Sequence, residues 1–103
     1  MPNLREWRAL VRRDRADEYV AYVNATGIAE YRRTPGNLWA AIAVRPLDDV
    51  RAEVVTLSLW TDNRAIEGFA GSDITRARYF PEDDAFLLTR PETVLHYQCE
   101  FAG

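Results

Sequence analysis

The chain has 103 residues, a mass of 11.8 kDa and 48% hydrophobic content, which makes one folded domain rather than a disordered segment. Sixteen acidic and thirteen basic residues leave a net charge of −3, the wrong sign for a groove that tracks phosphates, so nucleic acid is not an expected partner. No apolar run approaches the ~20 residues that span a bilayer. The start lacks a secretory signal's apolar stretch, and the lone Cys99 excludes an internal disulfide, so a cytoplasmic protein free of membrane is expected.

Glu6 to Arg13 alternates, with Trp7, Ala9 and Val11 on one parity and Arg8 and Arg12 on the other, which predicts a strand with one wet or functional face. Asp14 stands where it would cap a helix, and Asp17 and Glu18 place acids in its first turn. Ala16, Tyr19, Val20 and Val23 form its apolar stripe. The helix is expected over Arg15 to Thr26, loosened at Gly27, with a turn at Thr34-Pro35-Gly36-Asn37. Leu38 to Val44 has no polar residue, so both faces of this second strand are expected to be buried. A hairpin turn at Pro46-Leu47-Asp48-Asp49 leads to a third strand, Arg51 to Trp60.

Thr61-Asp62-Asn63 opens a second helix with Ala65, Ile66, Phe69 and Ala70 as its stripe, and a further helical piece is expected from Ser72 or Asp73 to Tyr79. Phe86, Leu87 and Leu88 sit on a short turn, and Thr93 to Phe101 alternates as a last strand. The order βαββαβ predicts an α+β, ferredoxin-like unit, with helices on one face of a four-stranded antiparallel sheet. A face that the helices cannot reach calls for a second copy of the chain, so a homodimer is expected.

All thirteen basic residues are arginine. Without lysine there is no Schiff base and no P-loop. One histidine and one cysteine are too few for an ordinary zinc site, so neither metal nor cofactor is expected.

The stretch from Ser58-Leu59-Trp60-Thr61-Asp62 through Ala65-Ile66-Glu67-Gly68-Phe69-Ala70-Gly71-Ser72-Asp73 resembles the antibiotic biosynthesis monooxygenase family. So do Ala77-Arg78-Tyr79-Phe80-Pro81-Glu82-Asp83, Phe86-Leu87-Leu88 and Val94-Leu95-His96-Tyr97, while the first half matches only in its order of elements. The resemblance implies one domain over residues 1–103, with two such sheets face to face as a dimeric α/β-barrel. It also implies oxygenation of a quinol-type aromatic small molecule without metal or flavin. Haem-degrading members use an asparagine, a tryptophan and a histidine. Phe69 and Tyr79 stand at the latter two positions and the first strand has no asparagine, so haem chemistry is not implied.

On this reading His96 is the catalytic base, Tyr79 a catalytic hydrogen-bonding group, Arg8 an anion-stabilising contact, and Trp60 and Phe69 the walls of a flat pocket. Each has a plainer alternative: Tyr79 as an aromatic anchor, Trp60 as packing, His96 as an interface hydrogen bond, Arg8 and Arg12 as a solvated edge. Glu82-Asp83-Asp84 reads as capping of a short turn, and Cys99 as a buried, inert thiol. The competing function is a non-catalytic small-molecule-binding or stress-associated dimer.

Overall fold

The computed structural model describes residues 1–100; Phe101, at the end of the expected last strand, lies outside them. Strands β1 (Asn3–Arg12), β2 (Asn37–Pro46), β3 (Arg51–Trp60) and β4 (Leu95–Gln98) form an antiparallel sheet of order β2-β3-β1-β4. Helical residues run from a 3-10 turn at Arg13–Arg15 through α1 (Ala16–Val23), a π-helical segment at Asn24–Ile28 and α2 (Ala29–Arg33), and α3 is Asn63–Ala70. This is the ferredoxin-like α+β fold, with its helices on one face of the sheet.

The alternation in β1 does what a half-buried strand requires: Arg5, Trp7, Ala9 and Val11 turn inward, and Arg8 and Arg12 are exposed. They meet Val54, Thr56, Ser58 and Trp60 of β3, Tyr19 and Val23 of α1, Tyr31 of α2, and Ile66 and Phe69 of α3 in one core. Helical structure carries on past Thr26 to Arg33, because the wide π turn takes Gly27 in without a break. Asp14 pairs with Arg12 and makes no cap, whereas Asp62 does cap α3, accepting from the amide of Ala65 at 2.9 Å. At the turn before β2, Gly36 has φ +92, and a Cβ there would lie 2.4 Å from that of Ala65. The Asp48 carboxylate closes the β2–β3 hairpin; the Arg51 guanidinium first, then the amides of Val50 and Arg51 that donate to it, hold its pKa down at about 2.

Three further expectations change. Residues 72–79 are not helical: Asp73 folds back onto Thr75, and the chain pairs instead with the approach to β4 through Ala77 N–H to Glu92 and Val94 N–H to Thr75. β2 is an edge strand, and Leu38, Trp39 and Val44 are exposed in the single chain, so one copy alone does not bury both its faces. In β4 the parity is reversed. Val94 and His96 turn toward the helices, while Leu95 and Tyr97 stand exposed on the open face with Cys99 half-buried after them.

Candidate functional site

Between the sheet and the helical layer lies a cavity of about 30 Å³. β1 contributes Arg5 and Trp7, β3 Thr56, α1 Tyr19 and Val23, the π segment Thr26 and Gly27, α2 Tyr31, α3 Phe69, and the irregular segment after Gly71 supplies Arg78, Phe80 and Asp83. The π turn brings Thr26 and Gly27 to the wall; Thr26 Oγ1 donates to the Tyr22 carbonyl at 2.8 Å. Such turns occur frequently at functional sites.

Arg5 is the unusual member. It is 2% exposed, and the β1 register sets it opposite Ser58 of β3 and His96 of β4. One terminal nitrogen donates to the Tyr31 hydroxyl at 2.9 Å and the other to the Arg76 carbonyl at 3.1 Å. Its Nε–H has no acceptor, and no carboxylate reaches ion-pairing distance of it among the described residues. The Phe69 ring faces the guanidinium at 5.3 Å and the Tyr31 ring at 6.0 Å.

Asp83, 5% exposed, is the carboxylate of the cavity. It accepts from the Tyr19 hydroxyl at 2.9 Å and from the Phe80 amide at 2.6 Å. Burial first, and the nearby Asp83 charge second, push the Tyr19 phenol far above its ordinary pKa, so Tyr19 stays a proton donor. Arg78 donates to the Phe69 carbonyl at 3.0 Å and stacks between Phe69 and Phe80, at 4.9 and 5.0 Å.

Of the five residues expected in a site, only Phe69 lines this cavity. Trp60 sits one layer behind, wholly buried, with Nε1 donating to Ser58 Oγ at 2.9 Å and its ring edge-on to Tyr31. Tyr79 donates to the Pro91 carbonyl, accepts from Trp7 Nε1 at 3.4 Å and lies under the Arg90 guanidinium. Burial raises its pKa. His96 faces an open polar groove beside Asn3, Asn63 and Arg64, with Nδ1 3.0 Å from Asn3 Oδ1 and Nε2 2.8 Å from the Ile74 carbonyl. Arg8 is on the other side of the sheet, paired with Glu6 and Glu53.

In the acidic run, Glu82 caps nothing, Asp83 is the buried carboxylate already described, and Asp84 pairs with Arg90. No group of three His, Cys, Asp or Glu converges as a metal site among the described residues. The sequence reading missed Arg5, Tyr19, Tyr31 and Thr56. For Arg5 the signal was present: it lies two residues before Trp7, on the parity that turns inward.

No family model matches the sequence, and no curated protein does. Solved structures share the fold. A Bacillus cereus protein named as a "putative antibiotic biosynthesis monooxygenase" superposes with a TM-score of 0.68 at 15% identity, over 99% of this chain and 98% of its own. A Bacteroides thetaiotaomicron protein of the same name gives 0.59 at 15% identity, over 98% and 90%. A Pseudomonas aeruginosa protein gives 0.58 at 16% identity, over 99% and 94%. Each is similar along nearly its whole length, and the likeness is one of fold.

Proposed function

We propose that the protein is a small oxygenase that takes an electron-rich phenolic or quinol-type aromatic compound between its sheet and its helical layer, using dioxygen with no metal or flavin. The observation that carries this reading is the cavity walled by Trp7, Tyr31, Phe69 and Phe80, in a fold shared with two proteins bearing a monooxygenase description. In such a reaction an activated ring CH₂ becomes C=O; one oxygen atom of O₂ enters the product and the other leaves as water with the two hydrogens. The chain supplies orientation between aromatic faces, exclusion of water, and the Asp83 carboxylate as the group in the cavity able to take a proton. His96 stands outside the cavity, so the base is assigned to Asp83, the carboxylate that lines it. At about 30 Å³ the cavity takes the polar end of the compound, with its ring toward Phe69 and Phe80.

The working unit in this reading is a homodimer joined through the open sheet face. Trp39, 48% exposed, lines an apolar cleft with Leu4, Leu38, Leu59 and Cys99, and Tyr97 is 46% exposed.

Oxygen-electrode and absorbance measurements with an anthrone test the enzyme: quinone should appear in step with oxygen consumed. Folded protein that takes up no oxygen with a series of anthrones and hydroquinones overturns it. Both Asp83 oxygens are already held, by the Tyr19 hydroxyl and the Phe80 amide, which favours a second reading, a non-catalytic binder. On that reading the same compounds bind unchanged.

A further inference from the structure

We infer that the cavity is an oxyanion receptor, so that the aromatic ligand is an acid bound as its anion, with the charged oxygen at Arg5. This deepens the reading above and rests on the same cavity. A guanidinium that is 2% exposed has been taken out of water, and a buried charge is costly unless an opposite charge and full hydrogen bonding compensate it. Among the described residues Arg5 has only neutral acceptors, the Tyr31 hydroxyl and the Arg76 carbonyl, and its Nε–H has none. A second guanidinium, that of Arg78, lines the same cavity against a single carboxylate, Asp83, whose oxygens are already held by Tyr19 and the Phe80 amide. The lining therefore carries a formal excess of one positive charge: two arginines less one aspartate.

Size agrees with charge. A cavity of about 30 Å³ holds a head group of two or so water-sized atoms, not a ring. A carboxylate or phenolate oxygen fills it, with the ring lying toward Phe69 and Phe80. Neutral aromatic compounds leave the Arg5 charge uncompensated and are discriminated against.

The test is calorimetry on the full chain with benzoate and with benzamide, its uncharged counterpart, and with 4-nitrophenol across the pH range in which it ionises. Benzoate should bind at least ~10-fold more tightly than benzamide, the ratio expected of one charge-assisted hydrogen bond. If phenolates are also taken, 4-nitrophenol affinity should rise with pH as the ligand ionises; a flat profile restricts the site to carboxylates. Arg5→Met and Arg78→Met should each weaken benzoate ~10-fold or more and benzamide by less. Should Arg5→Met not fold, the wild-type comparison and Arg78→Met still decide. Benzamide binding as well as benzoate, or no benzoate binding at millimolar concentration, overturns the inference. Benzoate binding without oxygen uptake on any quinol leaves the receptor standing and removes the oxygenase; oxygen uptake on neutral quinols without benzoate binding does the reverse.

Discussion

Removing the Tyr19 hydroxyl should cost stability out of proportion to one oxygen atom. The group is 1% exposed and donates at 2.9 Å to Asp83, itself 5% exposed, so Tyr19→Phe withdraws one of the few donors available to a buried carboxylate. A hydrogen bond to a charged group contributes about 1.5–3 kcal/mol. The ring keeps its contacts with Tyr22 and Phe86, so no cavity term is added. The expected cost is about 2 kcal/mol, or a fall in Tm of roughly 8 °C or more for a domain of this length. Asp83→Ala strands both the Tyr19 hydroxyl and the Phe80 amide and should cost about 3–4 kcal/mol. The two changes act on one bond, so the double variant should lose about 1–2 kcal/mol less than the sum. Urea unfolding of the four proteins measures this cycle. A Tyr19→Phe cost below about 0.5 kcal/mol, or strict additivity, would refute the claim that this pair pins the irregular segment to α1.

The raised Tyr19 pKa has a consequence at high pH: the unfolded phenol ionises near its usual ~10 while the folded one keeps its proton, so stability is complete below that pH and falls as pH rises above it. Tyr19→Phe should lessen the fall, which alkaline denaturation curves will show. Gly36→Ala should destabilise by more than ~1 kcal/mol in thermal melts, since φ +92 and the contact with Ala65 oppose any Cβ. His96→Ala should lower Tm through loss of its bridge from β4 to Asn3 and the Ile74 carbonyl, and leave the pH dependence of any turnover unchanged; a ~10²-fold loss of turnover in a fully stable variant would return His96 to the role of base. Light scattering should find a dimer at micromolar concentration, and Trp39→Glu should shift it to monomer, because a typical interface buries ~800 Å² per partner around such exposed aromatic residues.

Local periodicity made most of the fold legible. Alternation in β1 and β3, the stripe of α1 and the Asp62 cap of α3 are each decided within a few residues, and their order implies the ferredoxin-like sheet. Where reading failed, distant partners had decided the matter. Residues 72–79 carry helix formers, yet their backbone pairs with Glu92 and Val94, 15 and 19 residues on from Ala77 and Thr75. In β4 the apolar parity is the outward one, because the face is set by register: Arg5 stands opposite His96 and Leu4 opposite Tyr97, and no pattern within the strand reports that. The same pairing explains the two arginines of β1. Arg8 lies on the polar parity of the alternation, the face expected to be wet or functional, and a side chain on that parity meets Glu6 and Glu53 on the open face. Arg5 shares the parity of Trp7, and only the packing of α2, α3 and the segment after Gly71 over the sheet encloses its charge and leaves Nε without an acceptor. Sequence determines which residues can share a face, because that is set by the repeat of the local backbone; which charge is shut away from water depends on elements far apart in the chain, and the tertiary structure alone decides it.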